Sequence, residues 1–404
     1  MEKVFDNSQK SGGLAVMEKT TTREIFVFVH GMFGWGCGEG INSHAPYWGA
    51  TTGDLMEYLT EKGYECYAAS VGPMSSAWDQ ACELYAQLTG KAIDYGVVHS
   101  KKYSHERYGR EYKKSIIKNF NGDKENIRLH LIGHSYGGAC IKTFTHLMTN
   151  GAPDEVAACE DASELFKGGK EQYIKSCTTL CTPHNGSTAY TYVIKKHLKP
   201  LFKAGVTAWA SVFGRSALNG KLVDFHLEHF GITEIPGEKN APKLSKSFKK
   251  FYDTNDSIDY AISPKGAKEL SNMIEISKNV YYFSYAFDST EKVKGKYKTK
   301  NSDFFLMSMT GNALIRLGEF TDDDSEITFD ESWLPNDGLV NVTSALYPEG
   351  SPHKWYEGKD AEKGIWNIMP IQKGDHGTAI GLFADKQQTR SFYDNLMKML
   401  SSLE

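Results

Sequence analysis

Two rhythms of apolar residues run along this chain. Ile25-Phe26-Val27-Phe28-Val29 is unbroken, β-branched and aromatic, the pattern of a strand buried on both faces. Residues 127–132 repeat it, and further strands are predicted over residues 64–69, 176–182 and 280–287. Between them the spacing changes to three-and-four. It predicts helices over residues 54–62, from about residue 76 (Trp78, Ala81, Cys82, Tyr85 and Leu88 on one face), after residue 137 (Cys140, Phe144, Leu147, Met148) and over residues 387–403. Strands alternating with helices predict an α/β fold, a mostly parallel central sheet with helices on both faces. Residues 93–112 show no clear period and read as an inserted, loop-rich piece. Residues 291–329 read as polar loop. Residues 1–22 read as a disordered leader, which leaves 23–404 as a single domain. Residues 190–250 read as a long helical stretch whose stripe Val206, Trp209, Val212 and Phe213 is either an ordinary core face or a mobile lid turned toward lipid.

Composition narrows the function classes. Of 404 residues 40% are hydrophobic, enough for a substantial core. Lys and Arg number 46 against 50 Asp and Glu, a net charge of −4 that gives no reason to expect nucleic acid. No apolar stretch reaches the length of a transmembrane segment. The first 23 residues lack the apolar region of a secretory signal, so the expectation is an intracellular protein unless a signal has been removed. Seven cysteines at irregular spacing do not look like a disulfide framework and read as small core residues.

The chemistry centres on Gly133-His134-Ser135-Tyr136-Gly137. Strand before and helix after make this G-x-S-x-G a nucleophile elbow, which holds Ser135 in a strained turn above the sheet. A serine hydroxyl needs a base. In α/β hydrolases the partners follow in the order Ser, acid, His. His376, between glycines near the C-terminal helix, is the candidate base; Asp337, in an Asp-Gly turn, is the candidate orienting acid. Each also fits plain turn chemistry. The Gly-rich loop His30-Gly31-Met32-Phe33-Gly34 follows the first strand, so the backbone N–H groups of Met32 and Tyr136 are the candidate oxyanion donors. Ser76-x-x-Asp79 fits a helix cap, the plain role for Asp79.

Longer matches then become visible: "FVHGMFGWG", "VGPMSSAWDQACELYAQLTG", "DYGVVHSKKYSHERYGR", "IGHSYGG", "CTPHNGST", "WLPNDGLVN" and "GIWNIMPIQKGDHGTAIG". On these the chain resembles the thermoalkalophilic bacterial lipases of the Geobacillus and Staphylococcus type. The resemblance implies the α/β-hydrolase fold, the triad Ser135, Asp337 and His376, oxyanion donors Met32 and Tyr136, a helical lid working at the lipid–water interface, and hydrolysis of long- or medium-chain esters. The family is mostly secreted. It also implies a structural zinc bound by two aspartates and two histidines in an inserted segment over about residues 76–112. Asp79, His99 and His105 map onto that set. The fourth position falls on Ala261, with Asp259 able to substitute if the backbone shifts and Asp256 a poorer fit. The family's calcium ligands are replaced here by Thr378 and Leu382-Phe383-Ala384, so no calcium is expected there.

The sequence reading is therefore a serine carboxyl-ester hydrolase, most simply a triacylglycerol lipase. A phospholipase or short-chain carboxylesterase would use the same triad. A metallohydrolase built on Asp79, His99 and His105 is the rival from another class.

Overall fold

Val29 ends the first strand with Ala69 on one side of it and Gly133 on the other, and these neighbours define the frame. The computed structural model describes residues 22–118, 126–190, 224–231, 251, 253–300, 305–317, 321–322 and 327–404. Its main sheet has seven strands: β1 (Arg23–Val29), β2 (Glu65–Ala69), β3 (Ile127–His134), β4 (Ile174–Leu180), β5 (Tyr281–Tyr285), β6 (His353–Trp355) and β7 (Trp366–Ile368). Their spatial order is β6-β7-β5-β4-β3-β1-β2, every neighbouring pair parallel. The chain steps outward from β1 to β2, then returns to the far side of β1 and proceeds in the opposite direction. The crevice at the carboxyl ends of β1 and β3 is therefore the switch point, where open α/β sheets bind ligands.

Period-two alternation explains the two cores. Ile25, Val27 and Val29 point to one face, where they pack with Ile141, Phe144 and Leu147 of the helix Gly137–Asn150 and with the helix Ala77–Thr89. Phe26 and Phe28 point to the other, against Leu55 and Leu59 of the helix Leu55–Glu61 and Tyr393, Leu396 and Leu400 of the C-terminal helix Lys386–Ser401. The caps are those the sequence offers: Asp54 accepts from the amides of Met56 and Glu57, and Ser76 from that of Asp79.

Several segments differ from the sequence reading, which does not anticipate the short strands β6 and β7 or the non-helical backbone of residues 224–227 within its expected helical stretch. Residues 93–112 carry regular structure, a short antiparallel pair (Ala92–Asp94 with Tyr108–Glu111) enclosing the helix Val97–Tyr103. Its elements are too short to develop a period. Within residues 291–329, Phe305–Leu317 is a helix rather than polar loop. Of the expected lid, residues 191–223 and 232–250 lie outside the described residues, as do 1–21 of the leader. Among the described residues no helix is long and apolar enough to cross a membrane.

Candidate active site and metal cluster

Ser135 sits one residue beyond β3 with φ of 55°, a left-handed conformation that costs a non-glycine residue roughly 1–2 kcal/mol. Hydrogen bonds hold it there. Its amide donates to Leu180 O at 2.7 Å, and its carbonyl accepts from Gly138 N at 3.1 Å and Thr182 Oγ1 at 2.8 Å. The turn closes only because its flanks lack side chains. A Cβ on Gly133 would lie 2.5 Å from Gly137 O, and one on Gly137 would lie 2.3 Å from Val29 O. Sequence and geometry thus agree at the elbow: the glycines let the helix that follows start directly against β1.

On the opposite wall, His376 Nδ1–H donates to Asp337 Oδ2 at 2.8 Å, and the His376 amide donates to Asp337 O at 2.8 Å. The other carboxylate oxygen, Oδ1, accepts from the amides of Leu339 (3.0 Å) and Val340 (2.7 Å). Asp337 is 1% exposed and His376 5%, so both carboxylate oxygens are hydrogen-bonded in a dry setting. With Nδ1 committed as donor, the imidazole keeps Nε2 as its proton acceptor.

His134 ties this pair to the elbow. Its Nε2–H donates to His376 O at 3.0 Å. A carbonyl only accepts, which fixes the tautomer and leaves Nδ1 to accept from Tyr47 Oη–H at 2.7 Å. Tyr47 Oη in turn accepts from Gly31 N at 3.0 Å. Burial, and then the neighbouring His376 ring, holds His134 well below the ordinary histidine range. It is a neutral spacer between the oxyanion-loop side and the His376 side. Nothing in its spacing singled it out, and Tyr47 went equally unread. His134, Cys181 and His376 also lie close enough to suggest a metal group, but both His134 nitrogens are spoken for within the protein.

The loop after β1 is held by His30, whose Nδ1–H donates to Gly31 O at 2.9 Å while Nε2 accepts from Val71 N at 3.2 Å. Burial pushes this histidine down to about 4, so it stays neutral. Phe33 takes φ of 58° and its amide donates to Pro73 O at 3.3 Å. Among the described residues, neither the Met32 nor the Tyr136 amide donates to a protein acceptor.

A second constellation lies in the segment before β3. Asp79, His99, His105 and Asp256 bring one donor atom each within 4.8 Å of one another. His99 Nε2 is 3.2 Å from Asp79 Oδ1 and 3.0 Å from Asp256 Oδ2, and His105 Nε2 is 3.2 Å from Asp256 Oδ2. Asp79 Oδ1 and His105 Nε2 are buried and lack any aligned hydrogen bond. Outer partners orient the set: His229 Nε2 lies 3.0 Å from Asp79 Oδ2, His105 Nδ1–H donates to Glu106 O at 2.8 Å, and Trp78 stacks on His99 at 5.0 Å. Burial opposes the Asp79 charge, yet His229 and then His99 hold its carboxyl below the usual range. Two buried carboxylates, two imidazoles and orphaned donor atoms are compatible with a structural metal.

Asp259 does not join this group. It lies in the first turn of the helix Ile258–Ala261, where its carboxylate accepts from Ser257 Oγ. Asp256 is brought in instead, just before Ser257 pairs with Ser75 in an isolated antiparallel bridge next to the Asp79 helix. Counting along the sequence cannot register that bridge, and His229 gave no signal at all.

A parallel sheet wrapped by helices, with a strained serine at the switch point and a buried His–Asp pair tied to that turn through His134, has the plan of an α/β hydrolase. Residues 22–403 match the family described as "Lipase-like, C-terminal domain". A lipase of Staphylococcus hyicus is 32% identical over 374 residues, 90% of this chain and 54% of that protein. The crystal structure of Staphylococcus hyicus lipase superposes with a TM-score of 0.75 at 31% identity, covering 93% of this chain and 95% of that one. EstA from Clostridium botulinum gives 0.79 at 32% identity, with 92% and 86% covered. The chain belongs to the Staphylococcus-type bacterial lipase family. It spans about half the length of the curated relatives it matches.

Proposed function

We propose that this protein hydrolyses carboxylic esters of lipids, as a triacylglycerol lipase, through Ser135, His376 and Asp337. The observation that carries the reading is the satisfied, buried His376–Asp337 pair tied through His134 to a serine with φ of 55°. Ser135 Oγ attacks the ester carbonyl while His376 Nε2 takes its proton. Asp337 keeps the proton on Nδ1 and stabilises the imidazolium. The Met32 and Tyr136 amides, which donate to no acceptor among the described residues, donate to the tetrahedral oxyanion. His376 then protonates the leaving alcohol, and water attacks the acyl-enzyme by the same route in reverse.

Zinc is the cation we assign to Asp79, His99, His105 and Asp256. Three of the six donor separations are 3.0–3.2 Å and the rest stay within 4.8 Å, against an edge of roughly 3.3 Å for a tetrahedron with N and O ligands at about 2.0 Å. Four protein ligands fill such a shell, so its role is to cross-link residues 76–112 to the Asp256 segment. A fluorescent alkyl phosphonate tests the catalytic reading: it labels the protein, and labelling vanishes in Ser135→Ala. Labelling that survives Ser135→Ala overturns it. Comparing emulsified triacylglycerols with soluble short-chain esters and phospholipids then assigns the substrate class.

A further inference from the structure

The helix Ala77–Thr89 carries three buried polar side chains at three-and-four spacing, Gln80, Glu83 and Gln87. They pair with the stretch Ser70–Gly72, which leaves the carboxyl end of β2, an edge strand of the sheet. Ser70 N donates to Gln87 Oε1 at 3.0 Å, and Gln87 Nε2 donates back to Ser70 O at 2.8 Å. Two positions on, Gly72 N donates to Glu83 Oε2 at 2.5 Å and Gln80 Nε2 donates to Gly72 O at 2.7 Å. The helix thus gives these backbone groups the partners that a neighbouring strand would otherwise supply.

Other backbone groups of the same stretch go to the loop after β1. Val71 N donates to His30 Nε2 at 3.2 Å, and Pro73 O accepts from Phe33 N at 3.3 Å. These contacts fall on either side of Met32, whose own amide donates to no acceptor among the described residues. The loop lies against the nucleophile, since a Cβ on Gly31 would sit 2.6 Å from that of Ser135. A group that is to meet a developing charge must be held to within about 0.5 Å. Here its neighbours are gripped instead.

Glu83 differs from Gln80 and Gln87 in carrying a charge. Its Oε1 accepts from Tyr95 Oη–H at 3.1 Å, and His226 Nδ1 lies 3.2 Å from its Oε2. Burial opposes a charge on His226, yet Glu83 lifts that imidazole above the ordinary histidine range. A buried carboxylate is thereby matched with a cation, and as an ion it binds the Gly72 amide more tightly than a neutral acceptor does.

We propose that Glu83, assisted by Gln80, is a positioning residue for ester hydrolysis: it fixes Gly72, and through Val71 and Pro73 it sets where the Met32 amide points relative to Ser135. The inference rests on the reading of Met32 as an oxyanion donor.

Kinetics of the whole chain on a soluble ester test it. Glu83→Asp draws the carboxylate back by about one C–C bond, ~1.5 Å, and is expected to lower kcat about 10²-fold with KM little changed. Affinity for a trifluoromethyl ketone, which forms a tetrahedral oxyanion on Ser135, should fall by the same factor. Glu83→Gln keeps an acceptor for Gly72 N and should recover most of that loss. Gln80→Met removes only the donor to Gly72 O; it should lower kcat about tenfold, and it decides the matter if Glu83→Asp does not fold. An unchanged kcat overturns the assignment, and so does a fall in kcat that leaves the ketone affinity untouched. Phosphonate labelling that survives Ser135→Ala would instead remove the catalytic reading beneath it.

Discussion

The elbow corner and the Asp79–His99–His105–Asp256 cluster are both dense in titratable groups, yet they are built on opposite plans. At the corner the Asp337 and His134 side chains are satisfied within the protein: Asp337 accepts three hydrogen bonds through its side chain, and His134 uses both nitrogens. At the cluster, donor atoms face one another across 3.0–3.2 Å, and two are left without aligned hydrogen bonds. A preorganised reaction centre is complete before its substrate arrives. A cation site is incomplete by design, because its geometry closes around the ion.

The sharpest way to break this contrast is at the nucleophile. Ser135→Ala is expected to lower turnover on the order of 10⁶-fold with the melting temperature unchanged, and His376→Ala to lower it as far while also lowering the melting temperature, because it leaves the buried Asp337 Oδ2 without its donor. A comparable loss on chelation, with the serine still reactive toward phosphonate, would move the chemistry to the other region. Asp337→Asn should cost about 10⁴ in turnover, since it offers His376 Nδ1 the wrong partner while keeping the two backbone hydrogen bonds to Oδ1.

At the cluster, metal analysis separates neighbouring carboxylates. Asp256→Ala should lose one equivalent of bound zinc, whereas Asp259→Ala should retain it. Depleting a cation held a thousandfold above its dissociation constant lowers stability by about 4 kcal/mol, read as a fall in melting temperature. His229→Ala, which removes only the outer partner of Asp79 Oδ2, should weaken zinc affinity about 10–100-fold. The smallest effect belongs to the corner: Tyr47→Phe leaves the Gly31 amide and His134 Nδ1 unpaired, for about 1–3 kcal/mol of stability. If turnover also falls at a temperature where the variant remains folded, Tyr47 positions His134 rather than merely packing.

The two regions were not equally readable. The corner is announced locally, because a tight strand-to-helix turn demands glycines around Ser135, and its downstream partners sit in short Gly-flanked turns. The sheet was legible for the same reason: strands buried on both faces are continuous apolar runs such as residues 25–29. The cluster is a tertiary product. Asp256 enters through the bridge between Ser75 and Ser257 and His229 through a segment far downstream. The segment 93–112, too short in its elements for a period, concealed the helix that carries His99. Family likeness pointed to Asp79, His99 and His105, but a count along the chain put Asp259 ahead of Asp256.

The hydrogen bond from His134 to the carbonyl of His376 spans 242 positions of sequence. On the proposed triad the serine leaves the ribosome long before its base has been made, and it emerges as an ordinary alcohol. Reactivity would then arrive late and all at once, when the final stretch folds back onto strands laid down at the beginning. A nascent or truncated copy lacking that stretch would, on the same reading, be chemically inert toward esters.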